Sequence, residues 1–470
     1  MSTALETLVI LVVHGCSWLA ACHALLRKRD PRSALGWTVT CLLLPAVGPA
    51  IYALFGISRA EHRANKLLNQ LPVPSDESVS LHVLPPATVS PEDAALERLG
   101  ECLTNQPLLP GNTVVPLIDG DEAYPAMITA MEEATQEIFL TTYLFKAGAV
   151  GDEFVDVLGR AAKRGVDVRV LIDGFGALYS LRKPWKRLPG HGVRLARFLP
   201  PGLIPKGLSV NLRNHRKILV CDNTAFTGGM NIADENTHPE GTHGVRDVHF
   251  RCRGPVVAEL RNSFLRIWGY ACGDAPHAFI HRHVPPEGDS LCRLVIDGLG
   301  SGTDTLNDLY CGLISAAKGV VRIMTPYFLP SHELMAALCS AGYRGVDVRV
   351  ALPRKNNLPY VHWGMLRLLP QLLKAGVRVW LQPGPFVHTK LLTIDGGYSQ
   401  VGSANLDPRS LRLNFELNME VFDRPLHDRL AAHIDDAISR SQEITPRYLE
   451  RQSMPQRLRN AACWIFSPYL

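Results

Sequence analysis

A seven-residue segment occurs twice in this chain, letter for letter. Arg164-Gly-Val-Asp-Val-Arg-Val170 returns as Arg344-Gly-Val-Asp-Val-Arg-Val350, at matched places in two halves. Before each copy runs an apolar strand that ends in aromatics, Ile138 to Phe145 with Tyr143 and Val321 to Phe328 with Tyr327. A helical stretch lies between strand and repeat, Glu153 to Lys163 in one half and His332 to Ala341 in the other. Gly165 and Gly345 fall where each helix ends, the usual place for a residue in left-handed conformation. Strand–helix–strand units of this kind predict a duplicated α/β fold with a largely parallel, sandwiched sheet.

Each half also carries the same set of reactive residues. The first reads Asn214-His215-Arg216-Lys217, then Asp222, then Gly228-Gly229-Met230-Asn231; the second reads Val387-His388-Thr389-Lys390, then Asp395, then Gly402-Ser403-Ala404-Asn405. In a strand, positions i and i+2 share a face, so each His–Lys pair projects together. If the halves pack about a pseudo-twofold axis, His215, His388, Lys217, Lys390, Asn231 and Asn405 converge. Such a site suits a phosphodiester: one imidazole attacks phosphorus, the other protonates the leaving alcohol, and the lysine and asparagine donors hold the oxygens. A lone histidine is usually structural, but two H-x-K-x-x-x-x-D matches in the same context leave little room for chance.

The first sixty residues differ in character. Thr7 to Leu26 and Ser33 to Ser58 carry no formal charge, and each is long enough to cross a bilayer as a helix. They predict an anchor over 1–67 with two apolar helices (7–26 and 33–58) and membrane attachment, with Trp18, Trp37 and Tyr52 as candidate interfacial aromatics. No basic n-region precedes the first run, which argues against a signal peptide. Basic residues flank the second run on both sides, so the positive-inside rule gives no orientation. Proline-rich residues 68–111 read as a linker. Two α/β domains are then expected over 112–275 and 285–445, followed by a basic and apolar tail, 446–470, that either rests in a membrane interface or packs on the body. The formal charge of +5 favours anionic partners only mildly, and eleven scattered cysteines without a C-x-x-C pair argue against a zinc ribbon and a disulfide framework. His277, His281 and His283 lack the carboxylates or thiols that would complete a metal site.

With its two H-x-K-x-x-x-x-D motifs the chain resembles the phospholipase D superfamily over residues 112 to 440. The Arg29 to Trp37 segment with Pro45, Gly48, Tyr52 and Phe55-Gly56, the Asn112 to Gly120 segment and Asn405-Leu-Asp-Pro-Arg-Ser410 look like bacterial cardiolipin synthases. The resemblance implies two α/β sandwich domains with the site at their interface, no cofactor and no metal. It implies condensation of two phosphatidylglycerols to cardiolipin and glycerol, in a multi-pass protein of the bacterial inner membrane. No nucleic acid or obligate protein partner is expected. By position His215 and His388 match the nucleophile and general acid, in an order left open, and Lys217, Lys390, Asn231 and Asn405 match phosphate ligands helped by Ser403. Gly229 stands in Ser403's place in the first half. Asp222 and Asp395 belong to the catalytic motif but look more like strand or turn anchors. Asp247 and Glu416 are the candidates for orienting the histidines, with Glu420 competing for the second. The alternatives are a phospholipase D-type hydrolase, transfer to another alcohol, a membrane-tethered nuclease, or a binding protein with a relict site.

Overall fold

The computed structural model describes residues 3–28, 30–56, 89–200, 212–238, 240, 244–273, 283–297 and 304–467. They divide into two units, Met1–Lys66 and Leu67–Leu470.

In the first unit the helix Thr3–Arg27 leaves its leucines bare, with Leu19 72% and Leu26 85% exposed, and among the described helices it alone is long and apolar enough to cross a bilayer. The second apolar run is not the single helix expected over 33–58. It forms Pro31–Leu43, breaks at Pro45, and resumes as Val47–Ile51 and a π-helical turn Tyr52–Gly56. Thirteen helical residues reach only about 20 Å, short of a ~30 Å hydrocarbon layer. The break packs tightly: a Cβ on Gly48 would lie 2.3 Å from Thr40 O, and Ser17 Oγ donates to Pro45 O at 2.6 Å. Tyr52 is not an interfacial aromatic. It is buried against Trp37, with its hydroxyl 2.8 Å from His23 Nδ1. Ile57 and Ser58 lie outside the described residues.

The second unit is built on one sheet. In the first half its strands are β1 (Leu109–Ile118), β2 (Glu137–Thr142), β3 (Asp167–Asp173), β4 (Arg194–Phe198), β5 (Ile218–Cys221), β6 (Thr224–Gly228) and β8 (Val248–Arg253), with a short β7 (Val245–Arg246) apart. The second half supplies β9 (Ser290–Asp297), β10 (Val320–Met324), β11 (Asp347–Pro353), β12 (Arg378–Gln382), β14 (Leu391–Ile394), β15 (Tyr398–Gly402) and β16 (Glu416–Phe422), with β13 (Phe386–Val387) apart and β17 (Gln442–Glu443) at the edge. The order β17-β12-β11-β10-β14-β15-β16-β9-β1-β8-β6-β5-β2-β3-β4 reads alike from the β9·β1 seam towards either end, β17 excepted. The duplication is thus structural, and the two sheets are joined edge to edge into one.

The sheet is mixed rather than largely parallel. Strands β2, β3 and β4, and likewise β10, β11 and β12, run parallel through helical crossovers. The rest pair antiparallel, because β5–β6 and β14–β15 are joined by tight turns at Asp222 and Asp395 that leave no room for a crossover. Gly165 and Gly345 take φ of +89° and +84° after their helices, as the repeat predicted.

The expected linker 68–111 is only partly a connector. Its residues 68–88 lie outside the described residues, but Ala94–Thr104 is a helix whose Leu96, Leu99 and Leu103 enter the core of the second half. Arg293, fully buried, donates to Glu97 O at 2.9 Å and to Glu420 Oε2 at 2.7 Å, tying that helix to β9 and β16. The tail is also partly body: helix Met454–Ile465 packs along helix Pro359–Lys374.

Candidate active site

Each histidine sits just before a buried strand, on a short extended segment that pairs with the other half. His215 N donates to Phe415 O at 3.0 Å and Phe415 N to Arg213 O at 2.8 Å; β13 pairs with β7, and His388 N donates to Arg246 O at 2.7 Å. These exchanged segments carry the carboxylates across. His215 Nδ1 lies 3.0 Å from Glu416 Oε2, and His388 Nδ1 lies 2.8 Å from Asp247 Oδ2. Each imidazole is therefore held by the carboxylate of the opposite half. Neither Glu416 nor Glu420 holds the second histidine as expected: Glu416 holds the first, Asp247 the second, and Glu420 is buried between Arg293 and Tyr398. An anionic carboxylate at Nδ1 favours the tautomer with Nδ1–H facing it, which leaves Nε2 of each ring without a proton.

Lys217 and Lys390 are buried, and each ammonium donates to the carbonyl of its own histidine. Lys390 Nζ also lies 2.9 Å from His388 Nδ1, beside the bond to Asp247. Burial pushes Lys217 down to about 7 and Lys390 down to about 8. His388 is pushed down to about 4, by burial first and the Lys390 charge second, against the pull of Asp247. His215 moves the same way through burial, opposed by Glu416. Lys390 lies near enough to His215, and Lys217 to His388, that each ammonium lowers the other half's imidazole. Burial pushes Asp247 and Glu416 up, yet the lysine and histidine charges and hydrogen bonds facing them outweigh it, and both stay below the usual carboxylate range. Two anionic carboxylates thus face two lysines, and an anion bound between the lysines would favour their charged form.

The halves are not equal. Ser403 Oγ donates to Glu416 Oε2 at 2.6 Å, so Glu416 serves both His215 and a hydroxyl. At Gly229 a side chain has no room: a Cβ would stand 2.6 Å from both carboxylate oxygens of Asp247. Asn231 Oδ1 accepts from Leu144 N–H at 3.1 Å, leaving its NH2 group as a donor. Asn405 Nδ2 reaches Ser410 Oγ at 3.1 Å while its buried Oδ1 has no partner. A half-turn of that amide lets Ser410 donate and frees the NH2 group as in Asn231.

Asp222 and Asp395 are not brought to the histidines. Each follows the strand after its His–Lys pair, at its far end, with φ of +51° and +50°. Asp222 accepts from the N–H groups of Thr135, Gln136 and Glu137, and Asp395 from those of Lys318, Gly319 and Val320. Both pin the start of a strand, β2 or β10, and stand apart from the histidines rather than among the catalytic residues as expected. His277 and His281 lie outside the described residues.

Sequence reasoning gave no weight to three residues of the site. Tyr143 packs edge-on against His215 with centroids 5.3 Å apart, and Tyr327 against His388 at 6.3 Å. Their recurrence after each repeated strand was the available signal. Arg216, inside the first motif, is fully buried and bridges Glu416 O, Ser263 Oγ and Asp297 O, joining first-half residues to β9 and β16 of the second half.

Two imidazoles, each oriented by a carboxylate and flanked by a lysine, on a duplicated α/β sheet define a phospholipase D-like phosphodiester site. The family model described as cardiolipin synthase, PLD-like domain matches residues 127–268 and 310–438, and the phospholipase D-nuclease N-terminal model matches 16–56. The major cardiolipin synthase ClsA of Bacillus subtilis (strain 168) is 30% identical, over 94% of this chain and 95% of that protein. The cardiolipin synthase of Listeria monocytogenes serotype 4b (strain CLIP80459) is 28% identical over 98% of each. Among solved structures, the phosphatidylserine synthase of Haemophilus influenzae Rd KW20 shares the fold with a TM-score of 0.63, at 18% identity, over 80% of this chain and 100% of that one. The chain belongs to the cardiolipin synthase family of phospholipase D-like proteins. With that membership, the bare apolar helix Thr3–Arg27 is its membrane attachment.

Proposed function

We propose that this chain makes cardiolipin and glycerol from two phosphatidylglycerols, by way of a phosphohistidine. The crossed pairs His215–Glu416 and His388–Asp247 carry the reading, since both rings are held by Nδ1. One Nε2 attacks phosphorus and the bond to the glycerol headgroup breaks. The other ring, which takes up a proton as the phosphate anion binds, gives its Nε2 proton to the departing alkoxide. The glycerol hydroxyl of a second phosphatidylglycerol then gives its proton back to that ring and attacks phosphorus, and the P–N bond breaks. Lys217, Lys390, Asn231 and Asn405 hold the phosphoryl oxygens, and Ser403 supports Glu416. Asp247 and Glu416 position the rings and stabilise the imidazolium that forms.

The lysine ammonium groups supply the positive charge that a divalent ion brings to other phosphoryl-transfer sites, so we read the reaction as metal-independent. EDTA is expected to leave the rate unchanged; inhibition reversed by a divalent ion contradicts this. We also read the protein as one of the bacterial inner membrane, a reading that its resemblance supports. Only the helix Ala4–Arg27 qualifies as a span among the described residues, so a multi-pass topology has no support from the helices. The test of the activity is mass-spectrometric lipid analysis of cells lacking cardiolipin before and after expression. Cardiolipin is expected to appear; phosphatidic acid alone means hydrolysis.

A further inference from the structure

We propose that the mouth of this site rests on an anionic leaflet through an apolar rim built by both halves and finished by the C-terminal helix Met454–Ile465. The proposal rests on the reading that the substrate is a lipid. In the first half, the loop after β3 exposes Leu178, Tyr179 and Leu181, the last completely. Tyr179 lies 6.3 Å, ring to ring, from Tyr143, which lies against His215. In the second half, the loop after β11 leads to exposed Tyr360 at the start of helix Pro359–Lys374. The hydroxyl of Tyr327, the ring against His388, bonds Asn357 of that loop at 2.8 Å.

One turn beyond Tyr360 the C-terminal helix crosses: a Cβ on Gly364 would sit 3.6 Å from Cys463 C and Trp464 Cα. That helix buries Asn460 and stacks Arg459 on Trp363, yet leaves Ile465 and Phe466 65% and 60% exposed. Met454 and Leu458 lie on the same bare face, at intervals of four and seven from each other and Ile465. An apolar face left unpartnered beside a lipid site is explained by the lipid.

The charge around the rim selects the leaflet. Arg182 and Lys186 are exposed beside Leu181, Arg354 and Lys355 beside Tyr360, and Arg447, Arg451 and Arg457 accompany the final helices against a single acid, Glu450. Apolar side chains flanked by cations suit anionic headgroups over an acyl boundary. A lipid phosphodiester stays in the headgroup plane, so a buried pair of histidines reaches it only if the mouth lies on that plane.

The test uses the full chain in vesicles of phosphatidylglycerol and phosphatidylcholine. A diazirine placed high on the acyl chain of phosphatidylcholine, which lacks the headgroup alcohol, reports lipid contact by mass spectrometry. Label is expected on residues 176–183 and 454–467 as well as on 4–27; label confined to 4–27 overturns the proposal, as does a second copy or other protein covering the rim. Leu181→Glu with Phe466→Glu is then expected to cut cardiolipin formation on vesicles about tenfold, through lost apolar contact. Turnover of monomeric short-chain phosphatidylglycerol should stay within about twofold. Equal loss on both substrates, or no loss on vesicles, also overturns it. Label on the rim in a protein that makes no cardiolipin would retain the rim and reject the activity.

Discussion

Each imidazole of this site is held from the opposite half, so charge changes at Glu416 and Asp247 act on His215 and His388 respectively. Glu416→Gln keeps the shape but removes the charge, and we expect a loss of about a hundredfold or more in kcat at unchanged folding. Gly229→Ala should behave like Asp247→Asn, because its Cβ would enter the Asp247 carboxylate. Normal activity of Gly229→Ala would show that Asp247 can move freely. On the reading that Lys217 and Lys390 hold phosphate, its binding depends on pH. Their folded values, about 7 and about 8, lie below the ordinary 10.5, so between these limits the unfolded chain holds more protons. In the free protein, their contribution to stability therefore rises with pH across that window. An anion favours the ammonium form, so binding above pH 8 must take up protons and weakens. The rise in Tm given by inorganic phosphate is expected to shrink from pH 7 to pH 9; a constant rise would mean that the lysines stay charged throughout.

At the scale of elements, the motif aspartates work on strands. Asp222 gathers three backbone N–H groups at the start of β2, and Asp395 does the same for β10. Asp222→Ala is expected to cost about 2 kcal/mol of stability, as charge-assisted bonds are lost. The folded fraction should keep kcat within about twofold, checked by denaturant unfolding beside activity per folded molecule. A collapse of kcat in fully folded protein would return the aspartate to the chemistry. The crossing segments before β5 and before β14 are too short to be recognised as strands from sequence. Their hydrogen bonds go to the other half, and a local pattern holds no record of a partner so distant in the chain, as with His215 and Phe415 or His388 and Arg246.

For the whole molecule, the division at Lys66 and Leu67 sets where the chain can be cut. Removing 1–66 should leave a folded body, whereas removing 1–107 should not, because helix Ala94–Thr104 fills the second core and Glu97 O satisfies buried Arg293. Circular dichroism and cooperative melting of the two truncations distinguish them. A phosphohistidine is open to water as well as to lipid alcohol, and tethering an enzyme to a bilayer raises the local concentration of lipid acceptor. The body without 1–66 is therefore expected to make less cardiolipin and relatively more phosphatidic acid on matched vesicles. An unchanged ratio would place selectivity in the pocket alone.

The duplication, the two His–Lys pairs, the glycine turns and the candidate carboxylates were all legible in the sequence. The first three follow from local rules, since residues two apart share a face, glycines take positive φ, and a repeated segment repeats its fold; the carboxylates came from the family resemblance alone. The break at Pro45 was half legible, since the proline was visible but the fold-back against Thr40 was not. Which carboxylate holds which histidine, the edge-to-edge joining of the sheets and the docking of helix Ala94–Thr104 were decided by tertiary structure. Each is a pairing between segments far apart in the chain, and its free energy comes from burial that exists only once both halves have closed on each other.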